Sequence, residues 1–468
     1  MKLVIGLFAG VIIFYLSALK WRRSVKVVFF LLVFEGALRK WVLPQASEMI
    51  YFLKDIVLLG AYLNFYGLSS SKEKLPSQGK AINILIFIAM GWCIFQVFNP
   101  SLGSPLVGIF GLRGYLVYIP LIWMIPYLFD SEDEFYKFLR SHLLLTIPTG
   151  LIGIVQFFSP SKSFINAYAN EAAVGKATFG ATAAVRITGT FSYISGYAVY
   201  LLICFGLLII MLSVKQPRNW KIVTIIELFL VVINSFMTGS RTTIFTEVLF
   251  LAGYLCARGL TQPTSAFRLM KRLILPIIII SIAAFIWFRP AVEAFWLRTT
   301  TNKDVSGRIT SSFTEPFDFV KFKELDGYGT GATHQATPAL RLVLDLPPGE
   351  KIPTYFEPEM GRILLELGPI GFIFWYGMRV SILIVLLRTS WKLKTSFMRQ
   401  LALAAFLIQA IQLNGFLVFT TTYAVYYWFL TSFIFLLPRL EQMENWQKEQ
   451  QLWQEYVLSS YFPESPYR

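Results

Sequence analysis

Histidine is scarce in this chain, which has only two in 468 residues. One of them, His334, closes the stretch Gly327-Tyr328-Gly329-Thr330-Gly331-Ala332-Thr333-His334. Glycines at every second position let the backbone turn tightly and approach a ligand, because without a Cβ a positive φ costs little. An imidazole titrates near neutrality, so a histidine delivered by such a turn is a candidate general base. A plain glycine turn with a surface histidine is the competing reading, and the eight residues alone favour it.

Three arginines sit beside glycines in otherwise apolar surroundings: Arg113 in Gly111-Leu112-Arg113-Gly114, Arg186 in Arg186-Ile187-Thr188-Gly189-Thr190-Phe191, and Arg241 in Thr238-Gly239-Ser240-Arg241-Thr242. Arg308, in Ser306-Gly307-Arg308, is a weaker fourth. A guanidinium keeps its charge at any relevant pH and offers a planar fork of donors, which suits it to hold a pyrophosphate. Each arginine alone could instead snorkel to lipid headgroups. Glu35 and Arg39 are four apart, and Lys54 and Asp55 follow in the next apolar segment. Helical pairing accounts for them structurally, with Glu35 kept as a reserve acid/base. His142 reads as a packed histidine. Cys93, Cys204 and Cys256 lack metal or disulfide spacing, and no Walker A or HExxH motif occurs, so no metal and no cofactor are expected.

The elements that must position these residues are apolar spans. The chain is 56% hydrophobic, 16% aromatic and only 15% charged, too apolar for a soluble protein of this length. The expectation is an all-α polytopic integral membrane protein of about 12–13 transmembrane helices with one long extracytoplasmic loop. Thirteen spans are expected near 3–19, 25–42, 48–67, 81–98, 112–129, 141–159, 190–213, 220–238, 242–257, 272–289, 362–387, 400–418 and 422–438. The first run lacks a small-residue cleavage site and is expected to be a retained span. The formal charge of +15 does not point to nucleic acid. Residues 289–361 hold eight Lys/Arg against ten Asp/Glu, net −2, which leaves +17 on the spans and short loops. Apart from an acidic fifth loop, every second loop is basic. Positive charge retained in the cytoplasm places the 289–361 insert and the arginine turns on the opposite side. There the chemistry would need a donor already activated, since no ATP is present.

The expected organisation is transmembrane helices 1–10 over residues 1–288, an extracytoplasmic loop with His334 over 289–361, helices 11–13 over 362–438 and a cytoplasmic amphipathic tail over 439–468. Phe313, Phe317, Phe319, Phe322, Tyr328, Tyr355 and Phe356 in the insert are either platforms for sugar faces or its small core.

Four motifs in order, Arg186-Ile-Thr-Gly-Thr-Phe, Thr238-Gly-Ser-Arg241-Thr, Gly327-Tyr-Gly-Thr-Gly331 with His334, and Glu359-Met-Gly-Arg-Ile-Leu-Leu-Glu366-Leu-Gly-Pro-Ile-Gly371, carry a resemblance. Over roughly residues 100–440 the chain resembles the O-antigen ligase and O-antigen polymerase superfamily, bacterial membrane glycosyltransferases of GT-C type. The resemblance implies a bacterial inner-membrane enzyme, active on the extracytoplasmic side, that transfers a glycan from an undecaprenyl-pyrophosphate carrier to a sugar hydroxyl without metal. The acceptor would be a glycan or a lipid-linked glycan in O-antigen, capsule or exopolysaccharide synthesis. It implies that Arg186 and Arg241 bind the pyrophosphate, with Arg113 as a lesser member, and that His334 deprotonates or orients the acceptor hydroxyl. Thirteen spans depart from the family's usual twelve. The insert is irregular and lacks a strongly basic surface, a slight lean to polymerase over ligase. A polysaccharide flippase or other membrane transporter is the alternative; it explains the spans and cations but needs no large external loop with a histidine.

Overall fold

The computed structural model describes residues 2–68, 79–169, 185–286, 305–323 and 325–461, together with 178, 289, 292–293, 296–297 and 300. The protein is an all-α polytopic membrane protein. The only β pairing among the described residues is one bridge between Thr178 and Val185. Helices α1 to α4 are Lys2–Leu19, Trp21–Ala37, Ser47–Tyr62 and Lys80–Phe95. Helices α5 to α8 are Pro105–Leu116, Leu121–Met124, Glu132–Leu143 and Thr146–Phe158. Then come α9 Ile194–Ser213, α10 Arg218–Met237, α11 Arg241–Thr261 and α12 Pro263–Ile286. The insert carries α13 Val305–Phe319 and α14 Thr337–Val343. The chain ends in α15 Glu359–Lys392, α16 Ser396–Ile411, α17 Thr421–Thr431 and α18 Phe433–Tyr461.

Among the described residues, nine helical segments are long and apolar enough to cross a membrane. Gly6–Leu19 and Ser396–Ile411 are shorter apolar helices. Each of the thirteen expected spans coincides with a helix, though several limits move. Helix α9 is hydrophobic all round and buried along most of its length, as a central helix should be. The fifth span begins at Pro105 rather than 112, because Ser104 caps the helix by accepting from the Leu106 N–H and Pro105 occupies its first turn. Arg113 therefore lies two turns inside the helix and not at its outer end. The sixth begins at Glu132, capped by Ser131 and opened by three acidic residues. The twelfth ends at Ile411, leaving Gln412 and Asn414 in a loop.

The largest departure is in the eleventh span. Helix α15 is broken at Gly368, whose φ of 69° and ψ of 175° are not helical, and Pro369 follows. A continuous helix would hold residues 20 apart about 30 Å from each other. Arg379 instead reaches Glu359, Nη1 to Oε1 3.3 Å, so the 359–367 arm doubles back along the 369–392 arm. Only the second arm is a span.

Contacts sort the helix ends into two sets. At one end Arg22 pairs with Asp130 at 2.6 Å and Lys26 with Glu134 at 2.8 Å. The acidic fifth loop thus faces the basic first loop, which explains the exception in the charge alternation. Glu441 caps the start of α16 at the same end by accepting from the Thr395 N–H at 2.6 Å. At the opposite end lie the α2 and α4 C-termini, the α10–α11 turn and the 412–420 loop. The insert packs there on the first α15 arm. Phe319 and Tyr328 are buried with Leu364 and Leu365, and Phe322 and Phe356 close over them, while Phe317 and Tyr355 are 80% and 81% exposed. The first four aromatics are the insert's core. Helix α18 continues the last span into the expected tail, with Trp446 and Trp453 exposed.

Candidate functional site

Gly327, Gly329 and Gly331 all adopt positive φ, 68°, 90° and 86°. The turn needs glycine for space as well as for conformation. A Cβ on Gly331 would meet the Val107 carbonyl oxygen at 2.8 Å, and one on Gly111 of α5 would lie 2.2 Å from the Gly331 nitrogen. Two glycines therefore cross where the turn rests on α5. The Tyr328 and Gly329 N–H groups donate to the Leu365 and Glu366 carbonyls at 2.7 and 2.9 Å. From the third side, Asn99 beyond α4 donates to the Gly327 carbonyl at 3.0 Å.

A buried carboxylate fixes the end of the turn. Glu366 Oε1 accepts from the Thr333 N–H at 2.9 Å and from the Thr333 hydroxyl at 2.7 Å, and Oε2 accepts from the Tyr115 hydroxyl at 2.8 Å. Arg362 donates to the Thr333 carbonyl at 2.7 Å and lies 3.3 Å over the Phe419 ring. These side chains hold the residue before His334. The His334 ring stands edge-on to Phe110, centroids 4.9 Å apart. Burial, then the Arg362 and Arg113 charges, lower its pKa to about 4, so it is neutral at pH 7. Its Nδ1 accepts the Ala336 N–H at 3.1 Å, which leaves the ring proton on Nε2. In this tautomer His334 presents a donor. To take a proton from a substrate it must first release Ala336.

The structure brings Arg186 and Arg241 together. Arg186 Nε donates to the Thr238 carbonyl at 2.9 Å, and the Ile187 N–H to the Met237 carbonyl at 3.2 Å. The 186–189 strip thus lies against the turn that delivers Arg241. Arg241 Nη1 is buried and has no hydrogen-bond partner among the described residues. Gly239 provides the positive φ of 62° that the turn requires.

Arg113 is not in that group. Nε and Nη2 take Asp55 Oδ2 at 2.6 and 2.5 Å, and the guanidinium stacks 4.5 Å over the Tyr51 ring. It is committed to a carboxylate and acts on His334 only through its field. Glu35 is similarly committed, 2.6 Å from Lys54 Nζ and 3.5 Å from Arg39 Nη1, so both its oxygens are already engaged by cations. The Arg308 side chain lies outside the described residues. His142 is packed as expected, Nε2 2.7 Å from the Tyr426 hydroxyl.

Tyr51 joins the two halves of the site. Arg113 and Arg39 both lie over its ring, at 4.5 and 5.0 Å, and Arg39 donates to Ser192 at 3.0 Å, just past the arginine strip. Sequence reasoning missed the roles of Glu366, Arg362, Asp55 and Lys40. The spacing Glu359, Arg362, Glu366 was a usable signal, since charges three and four apart share one face of a helix that must bury them. Among the described residues no three His, Cys, Asp or Glu side chains group as metal ligands. No protein-family model and no curated protein matches the chain.

Proposed function

We propose that the protein is a glycosyltransferase of the O-antigen ligase and polymerase kind. It would transfer a glycan from an undecaprenyl-pyrophosphate carrier to a sugar hydroxyl, on the extracytoplasmic face of a bacterial inner membrane. One observation carries the reading. A histidine on a rigid turn lies at the same bundle end as two arginines, one of which has a buried, unpartnered guanidinium nitrogen. In the transfer the acceptor oxygen attacks the anomeric carbon, and the bond from that carbon to the phosphate oxygen breaks. Its electron pair leaves on the pyrophosphate, where Arg186 and Arg241 stabilise the growing charge. The hydroxyl proton is released, and neutral His334 orients the acceptor through Nε2–H or, after freeing Nδ1, removes the proton.

A polymerase is favoured slightly over a ligase. The insert offers exposed Phe313, Phe317 and Tyr355 for sugar faces, and its net charge of −2 gives no basic surface for a phosphorylated core acceptor. A transporter is the second reading, and the doubled-back α15 favours it, because discontinuous helices often build transport sites. The test is purified protein with an undecaprenyl-pyrophosphate-linked repeat unit and acceptor. An enzyme yields longer or transferred glycan and free undecaprenyl pyrophosphate. Movement of intact lipid-linked glycan across a bilayer without release would establish the transporter.

A further inference from the structure

Lys40 lies in the π-helical turn Leu38–Val42 that ends α2, and it is only 3% exposed. Its ammonium donates to the Thr188 hydroxyl at 2.9 Å and to the Gly189 carbonyl at 2.8 Å, and lies 4.5 Å over the Trp41 ring. All three partners are neutral. Of the other cations at this bundle end, Lys54 and Arg39 share Glu35, Arg113 has Asp55 and Arg379 has Glu359, while buried Arg362, like Lys40, forms no ion pair among the described residues and donates to Thr333. Burying an ammonium without a counter-charge is costly at membrane depth.

Thr188 and Gly189 belong to the strip that begins at Arg186 and rests on the Thr238–Gly239 turn. Four extended residues span at most about 14 Å. Lys40 at one end of that strip and Arg186 and the Arg241 turn at the other therefore lie along one short segment of the bundle end. No described carboxylate forms an ion pair with Lys40 or Arg241. The Gly189 carbonyl also accepts from Gln156 Nε2 at 3.1 Å, so it keeps a partner if Lys40 is removed. The ammonium is therefore not required to satisfy that carbonyl.

We propose that Lys40 is the third cation of a lipid-pyrophosphate cradle, with Arg186 and Arg241, and that it contacts the phosphate nearer the strip's Thr188–Gly189 end. This rests on the glycosyltransferase reading above. The shared chemistry is a phosphate on a lipid, and the ligand is the pyrophosphate of the isoprenoid donor rather than a phospholipid headgroup.

The experiment uses the full chain in phosphatidylcholine nanodiscs, with undecaprenyl pyrophosphate as probe and undecaprenyl monophosphate and phosphatidylglycerol as comparisons. Lys40→Met should weaken pyrophosphate binding about tenfold or more and reduce the preference for pyrophosphate over monophosphate. Lys40→Arg should stay within a few fold of wild type. Without ligand, Lys40→Met should melt at or above the wild-type temperature, because an uncompensated buried charge has been removed. A lower melting temperature or failure to fold would make Lys40 a structural strut and overturn the inference. Loss of binding in Arg241→Gln but wild-type affinity in Lys40→Met would also overturn it, leaving the glycosyltransferase reading intact. If the wild type itself binds no undecaprenyl pyrophosphate, that reading fails and the inference with it. Equal competition by phosphatidylglycerol would reassign the site to headgroups and overturn the choice of ligand.

Discussion

His334 and the two arginines differ in what a conservative replacement should do. His334→Ala should lower transfer by about 10²–10⁴-fold while the protein stays in the membrane at normal levels. Glutamine separates the two histidine roles, since its amide donates a hydrogen bond but takes no proton. Partial activity in His334→Gln marks the Nε2–H orienting role, and activity no better than alanine marks a base. The imidazole's pKa of about 4 also makes a pH prediction. The folded site keeps His334 neutral from pH 7 down to about 4, and only below that does the imidazolium form. The kcat profile should therefore show no His334-dependent loss between pH 7 and 5. A half-loss at pH 6.5 that disappears in His334→Gln would mean that burial does not govern the charge of this residue. Arg241→Lys keeps a charge but loses the fork of donors, so transfer should fall sharply even for this mild change, with the KM for donor rising.

At the scale of elements, the 327–334 turn depends on partners far away in sequence. Gly331→Ala places a methyl 2.8 Å from the Val107 carbonyl at a φ of 86°, and Gly111→Ala places one 2.2 Å from the Gly331 nitrogen. Each should lower the melting temperature, with a cost of about 1–3 kcal/mol, and each should lower activity more than a comparable change on a lipid-facing glycine such as Gly91. Glu366→Gln keeps the shape but replaces one acceptor oxygen with a donor. Either the Thr333 pair or the Tyr115 hydroxyl then loses its partner, a cost of about 1–3 kcal/mol. The expected result is folded protein with transfer reduced as far as in His334→Ala, because the residue before the histidine is released. Normal turnover in Glu366→Gln would show that His334 is held by other contacts.

For the molecule as a whole, sidedness is the property on which the proposed chemistry depends. Tyr355 is 81% exposed on the insert and Leu260 is 88% exposed near the α11–α12 junction. In a background with Cys256 replaced by serine, a cysteine at position 355 should react with an impermeant thiol reagent in intact cells, and one at position 260 should not. Reaction at 260 alone would reverse the placement of the insert. The ion pairs of Arg22 with Asp130 and Lys26 with Glu134 belong to the same question, since they make the first and fifth loops one electrostatic unit. Asp130→Lys should leave orientation unchanged, because it adds charge to a side that is already basic.

Composition and apolar run length alone determined that the chain is a bundle of membrane helices and roughly where each lies, because a bilayer demands about 20 apolar residues per crossing whatever the packing. The same patterning singled out His334, Arg186 and Arg241, since charge and glycine in an apolar chain need a reason wherever they occur. Pairing was not legible, because it depends on which helices become neighbours. Arg113, Arg186 and Arg241 look alike in sequence, yet Asp55 on α3 claims the first, while Arg186 reaches the α10–α11 turn that carries Arg241. The reversal at Gly368 was hidden for a related reason. A glycine-proline pair within an apolar run fits a kinked span as well as a hairpin, and only the meeting of Glu359 with Arg379 distinguishes them. Lys40 was passed over because its lack of a carboxylate partner is a fact about neighbours, which one strand of sequence does not contain.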